Sequence, residues 1–303
     1  MRIAALAWRG VAGLTDGGVE LVSGGLPQDL IVVTGPSGSG KSRLLWSIVA
    51  AKERLAPYGP GANDESITGG SGNAKIAVDW WFSEAERSDV GLDGAHHHTE
   101  VLFPRAKMPA VQAPAVNELL SRYSHDRRIG KVDYVPPDRI MPSTASASGD
   151  SEFDQKRRRL SRGNEKYAAC RRLAVDIVRR GGSKADELAR LFNALCPHLK
   201  LGGVTPTNDL ELIRASGRNT FDSRASSSEW DAFALAATIV IVGLHESVIL
   251  FDTPELHLDG AEAARRVSVL RNAIPTTQLI VATRAEAVVA LEGARVVELG
   301  GAR

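Results

Sequence analysis

Gly35-Pro36-Ser37-Gly38-Ser39-Gly40-Lys41-Ser42 has the form GxxxxGK[ST], and its flanks are those that a phosphate-binding loop requires. Leu30–Thr34 before it is a short β-branched run that reads as a buried strand. Ser42–Val49 after it opens a helix. Glycines let backbone N–H groups converge on an anion, and a helix N-terminus adds its dipole. The motif therefore predicts a nucleotide site. Lys41 reaches the β- and γ-phosphates, the Ser42 hydroxyl ligates Mg²⁺, and Arg43 is counted with the loop.

The chain of 303 residues has room for one large α/β domain with an elaboration, or for two small domains. A hydrophobic share of 43% supplies a core, and the net charge of +1 singles out no partner. The two cysteines, Cys170 and Cys196, are too few for a disulfide framework or a zinc site and suit a reducing cytosol. The N-terminal apolar stretch is interrupted at Arg9, too early for a signal peptide. The longest apolar run, Ala232–Leu244, is shorter than the ~20 residues of a membrane span. The expectation is a cytoplasmic protein with no membrane insertion.

Strands are expected at Arg2–Trp8, Gly18–Val22, Lys75–Phe82, Thr99–Phe103 and Lys131–Val135. Pro57–Asn73 and Ser143–Ser151 read as loops. His96-His97-His98 is assigned to a polar loop tip, because three adjacent side chains cannot face one metal from a strand or helix. A helix capped by Asn164 carries Tyr167, Cys170, Leu173 and Ile177 at helical spacing. Another begins at Ser183 and buries Leu188, Leu191, Phe192 and Leu195. The last third alternates helix (Glu229–Gly243), strand (Ser247–Phe251), helix (Ala261–Ala273), strand (Gln278–Ala282), helix and strand (Ala294–Leu299). That alternation predicts a mainly parallel sheet covered on both faces. Residues 1–303 are expected to form a single domain, with a loop and strand insertion over 55–130 and a helical lobe over 140–224.

Val248-Ile249-Leu250-Phe251-Asp252 is four apolar residues ending in an acid, the Walker B pattern that delivers a carboxylate to Mg²⁺. Asp252 follows Ser42 by 210 positions, which implies an insertion between the two elements.

Asp252-Thr253-Pro254-Glu255-Leu256-His257-Leu258-Asp259 resembles the Walker B and D-loop string of ABC-type ATPases, in particular of the SMC/RecF-like and OLD-like branch. Ala225–Ala236, with Ser226-Ser227-Ser228-Glu229, resembles that branch's signature segment. Gln278–Arg284 resembles its switch strand, Arg2–Ser42 its opening, and Lys131–Pro137 its strand into the Q-loop. The resemblance implies an α/β P-loop NTPase of ABC type, with an antiparallel N-terminal β element and a helical insertion. It implies ATP and Mg²⁺ as cofactors, with Ser226, Ser227, Ser228 and Glu229 facing a nucleotide across a homodimer or heterodimer.

Four departures qualify that expectation. The family's glutamate after the Walker B aspartate is Thr253, its switch histidine is Arg284, its Q-loop glutamine is Pro137, and a signature glycine is Ser228. Thr253 is no base near neutral pH; Glu255, two residues on, is the candidate replacement. Arg284 retains donors for a phosphate. Loss of a positioned base costs about 10²–10⁴ in rate, so slow hydrolysis is expected.

The basic segment 156–180 is either a solvated helical face or a seat for DNA or RNA backbone. The chain ends soon after Leu299, so a separately encoded effector, of DNA-repair or anti-phage type, is expected. A transporter ATPase subunit, a small-molecule P-loop kinase and a non-hydrolysing regulatory pseudo-ATPase are the competing readings.

Overall fold

The computed structural model describes residues 1–58, 64–70, 72–104, 114–122, 132–137, 139, 158–162, 164–167, 169–244 and 246–300. It divides into two compact units. The first takes in Met1–Val135, His245–Glu255 and Gly260–Arg303, and the second Pro136–Leu244 and Leu256–Asp259.

The first unit contains strands β1 (Arg2–Arg9), β2 (Gly17–Glu20), β3 (Val22–Ser23), β4 (Leu26–Pro27), β5 (Leu30–Thr34), β6 (Ala74–Trp81), β7 (His96–Phe103) and β8 (Val132–Val135). Its helices up to that point are α1 (Lys41–Leu55), α2 (Asp64–Thr68), α3 (Glu84–Val90) and α4 (Pro114–Ser121). The second unit contributes α5 (Cys170–Arg180), α6 (Ser183–Leu195), β9 (Leu199–Val204), β10 (Leu210–Arg214), β11 (Asn219–Phe221) and α7 (Ser227–Val242). The chain then returns to the first unit as β12 (Val248–Asp252), α8 (Gly260–Ala273), β13 (Gln278–Ala282), α9 (Glu286–Val289) and β14 (Arg295–Glu298).

A five-stranded sheet of order β14-β5-β13-β12-β8 forms the core of the first unit, and every pairing in it is parallel. Leu30, Ile31, Val32 and Val33 are all buried, as expected of a strand covered on both faces. The antiparallel N-terminal element is a four-stranded sheet of order β2-β1-β6-β7. One buried side chain bonds β1 of that sheet to the start of β13. Gln278 accepts from the Ile3 N–H at 2.8 Å and donates to the carbonyls of Ile3 (3.0 Å) and Gln28 (2.9 Å). A buried amide needs such partners, and here both its oxygen and its nitrogen find them.

Most expected elements appear within a residue or two, and the differences have local causes. His96-His97-His98 is not a loop tip: it begins β7 and alternates across it, with His98 paired to Asp79 of β6 and His97 Nε2 3.0 Å from the Gly94 carbonyl. Pro57–Asn73 is not all loop. It holds α2, whose Ile67 is fully buried and whose Asp64 pairs with Arg54. Asn164–Tyr167 is a 3₁₀ turn, and the helix proper starts only at Cys170, turning Arg171, Ala174 and Val175 inward. The segment expected as a helical lobe also holds an antiparallel meander of order β11-β10-β9. Its strands are only three to six residues long, so the alternation of Leu199-Lys200-Leu201 in β9 and Leu210-Glu211-Leu212 in β10 is too brief to stand out. Ser143–Ser151 lies outside the described residues. Among the described residues, no helix is long and apolar enough to cross a membrane.

Candidate nucleotide-binding site

β5 runs into the glycine-rich turn, and α1 leaves it with Gly40 as N-cap at φ 90°. A Cβ at Gly40 would stand 2.4 Å from Leu14 Cδ2 and 2.6 Å from the Gly13 carbonyl, so both backbone sign and space demand glycine. No side chain caps α1, and no acid stands in its first turn. Its first N–H groups and dipole therefore face the loop as an anion cradle.

Pro36, Ser37 and Gly38 are exposed at the tip, and Ser39 is buried beneath them with its N–H 3.2 Å from the Pro36 carbonyl. Lys41 folds over the same turn, its Nζ 2.9 Å from the Gly35 carbonyl, 2.8 Å from that of Pro36 and 3.4 Å from Ser39 Oγ. Arg43, counted with the loop from sequence, instead donates to the Ser66 carbonyl of α2.

β12 delivers Asp252 to this turn. Ser42 Oγ donates to Asp252 Oδ1 at 2.9 Å, so the two expected Mg²⁺ ligands, far apart in sequence, share one hydrogen bond. Thr253 follows at φ 52°, a left-handed conformation rare for a β-branched residue. Its N–H bonds the Ala282 carbonyl at 2.9 Å, and its hydroxyl lies 3.2 Å from Asp252 Oδ1.

Glu255 receives two donors. Its carboxylate accepts the Thr283 hydroxyl at 2.7 Å and the Arg284 N–H at 2.9 Å, which ties the turn after β12 to the end of β13. The Arg284 side chain is exposed. Burial depresses the Lys41 pKa, and the nearby Arg284 charge depresses it further, while Glu255 and Asp252 partly restore it. Arg284, Glu255 and Asp252 are thus all near enough to act on the Lys41 charge.

The donor set fits a nucleoside triphosphate with a divalent cation: an uncapped helix N-terminus, a loop in which Gly35 and Gly40 leave no room for a Cβ, and a hydroxyl bonded to a buried carboxylate.

The signature-like segment belongs to the second unit. Ser226 N-caps α7, and its hydroxyl and the Glu229 carboxylate form a reciprocal capping box. Ser226 and Ser227 are exposed, and Ser228 lies 3.2 Å from Ser226, hydroxyl to hydroxyl. Glu229, expected to face nucleotide, is buried and committed to the helix end. It accepts the Ser226 N–H at 2.7 Å and pairs with His198 (3.0 Å) and Arg214 (3.4 Å). Burial raises its pKa, but the Ser226 N–H, His198 and Arg214 outweigh that and hold it below the usual carboxylate range.

Arg139, beside the altered Q-loop position, is buried on Asp231 of α7 and donates to the Pro136 carbonyl at 2.9 Å. In the basic segment, Arg171 pairs with Asp209 at 3.0 Å, Arg172 lies 3.9 Å from Asp176, and Arg179 donates to Asn208. Arg171 and Arg172 thus have acidic partners within the unit, whereas the partner of Arg179 is a neutral amide. Positions 156 and 157 lie outside the described residues.

Solved structures place this geometry. An SMC head bound to the C-terminal winged-helix domain of ScpA superposes with a TM-score of 0.58 at 17% identity, covering 96% of this chain and 91% of that one. The SMC head domain of Thermotoga maritima gives 0.54 at 16% identity, over 98% and 94%. An SMC head with an extended coiled coil, bound to the C-terminal domain of ScpA and derived from Pyrococcus furiosus, gives 0.56 at 16%, over 95% and 91%. The chain has an SMC-head-like fold. No protein-family model and no curated protein matches this sequence. The fold is thus of ABC-type P-loop kind, with a parallel core sheet and an antiparallel N-terminal sheet.

Sequence reasoning had not picked out Tyr134, His198 or Arg214. Tyr134 donates to Asp252 Oδ2 at 3.0 Å; the other two brace Glu229. Tyr134 lies within the quoted Q-loop strand, the one signal that pointed toward it.

Proposed function

We propose that this chain is an SMC/RecF-like ABC ATPase that binds ATP with Mg²⁺, dimerises on it, and hydrolyses it slowly as a switch for a separate partner protein. The observation that carries the reading is the Ser42–Asp252 hydrogen bond at the uncapped start of α1. Ser42 and Asp252 would hold a divalent cation, which would supply charge neutralisation for the phosphates. Lys41 and the α1 N-terminus would hold phosphate oxygens, and Arg284 would supply a further cation at the rim. Slow turnover is supported by Thr253 at the glutamate position and by Glu255, whose carboxylate already receives two donors. Dimerisation through exposed Ser226 and Ser227 is argued from the signature resemblance. A separate partner is supported by the ScpA domains on two of the similar heads. A setting in DNA repair or anti-phage defence rests on fold analogy.

Light scattering with and without Mg²⁺–ATP, run beside phosphate release, tests the proposal. Wild type is expected to dimerise on ATP with release near background, and Lys41→Ala to stay monomeric. Glu255→Gln is expected to change release by less than ~10-fold. A loss of about 10²-fold or more would make Glu255 the general base. Dimerisation with no release at all, even with a partner, would favour a regulatory pseudo-ATPase, the reading Thr253 also supports.

A further inference from the structure

Asp252 is nearly fully buried, and its two carboxylate oxygens are treated differently. Oδ1 accepts from Ser42 and Thr253, whereas Oδ2 accepts the phenolic hydroxyl of Tyr134 at 3.0 Å. The register of the sheet explains how Tyr134 comes there. β8 pairs with β12 so that Tyr134 lies opposite Leu250, two residues before Asp252. Leu250 and Asp252 share a face, so Tyr134 and Asp252 are diagonal neighbours on it, within reach of an aromatic side chain.

Helix α1 covers both from above. Ser42 and Trp46 are four apart on one side of that helix. Ser42 meets Asp252, and the Trp46 ring meets Tyr134 edge-on, with centroids 5.8 Å apart and planes at 61°. Tyr134 is fully buried, so its hydroxyl orientation is set by this packing.

We propose that Tyr134 is a positioning residue for the cation site: it holds Asp252 Oδ2 so that Oδ1 stays turned toward Ser42 and the divalent cation. The inference rests on the nucleotide-site reading above and adds to it a residue outside the motifs. A phenol O–H on a carboxylate is a charge-assisted bond and resists rotation of the acid. Partners that orient a metal-binding carboxylate typically change metal affinity about 10–100-fold when removed.

Tyr134→Phe deletes only the hydroxyl and keeps the ring against Trp46. Binding of a fluorescent ATP analogue is followed in EDTA and across a Mg²⁺ titration, with thermal unfolding of the same samples. The variant is expected to match wild type in EDTA and to need about 10–100-fold more Mg²⁺ for half-saturation. An unchanged Mg²⁺ curve beside a Mg²⁺-dependent wild type overturns the inference alone. A lowered melting temperature with that unchanged curve does the same and leaves Tyr134 a packing residue. Nucleotide binding by wild type that ignores Mg²⁺ overturns the site reading and the inference together.

Discussion

At Gly40 two constraints meet: a backbone at φ 90° and a Cβ position already filled by Leu14 and the Gly13 carbonyl. Gly38 separates them, because it shares the left-handed sign (φ 79°) but faces open space. Gly38→Ala is expected to cost about 1–2 kcal/mol, the left-handed penalty for an L-residue. Gly40→Ala is expected to cost more and to abolish nucleotide binding, since Leu14 or the loop has to move. Urea unfolding with a fluorescent-nucleotide titration reads both, and equal losses in the two variants would show that the Gly40 contact is slack. Thr253 poses the opposite case, a β-branched residue kept at φ 52° where glycine or asparagine would be easier. Strain of this kind collects at functional sites, and here it places a hydroxyl on the Walker B aspartate.

Among the elements, α7 depends most visibly on side chains from elsewhere in its unit. Its apolar body is buried on most sides, while its first turn is ordered by the Ser226–Glu229 capping box, with His198 and Arg214 closing over the carboxylate. Glu229→Ala is expected to lose about 1 kcal/mol through the cap and to leave His198 and Arg214 without their acceptor. The dependence on pH has a definite sign. The folded pKa of Glu229 lies below its unfolded value of about 4.3, so this stabilisation is complete above that value and is lost as pH falls through the folded pKa. Acid unfolding of Glu229→Gln should therefore be flatter in that window than wild type. Coincident curves would show that the carboxylate charge contributes nothing to the helix end.

At the scale of the whole molecule, the first unit carries every group placed around the phosphate loop, and the second carries the signature-like serines. In the dimer proposed above, each chain's serines would meet the other's nucleotide, and the segment would be sensitive to bulk and charge. Ser228→Arg is expected to abolish the ATP-dependent dimer and to reduce nucleotide affinity to that of a lone chain. Equilibrium sedimentation with Mg²⁺–ATP checks this, and a dimer that survives the substitution would place the interface elsewhere.

Local patterns were legible in the amino-acid sequence wherever a few adjacent residues decide the structure. The β5–turn–α1 unit, the apolar strand ending in Asp252, the buried face of α6 and the alternation of the last third are all of this kind, since glycine torsions and hydrophobic period act over short windows. The short β9–β11 meander escaped because its strands are too brief for their alternation to stand out. The roles of Tyr134, Glu255 and Glu229 escaped for another reason. A carboxylate can serve as base, metal ligand, latch or cap, and which one it serves depends on the donors that strand register and helix packing bring to it. Sequence determined the glycine-rich turn between strand and helix and the acid that ends β12; only the tertiary structure decided that Tyr134 donates to that acid, that Glu255 bonds Thr283 and Arg284, and that Glu229 closes a helix, because those partners meet through strand register and packing.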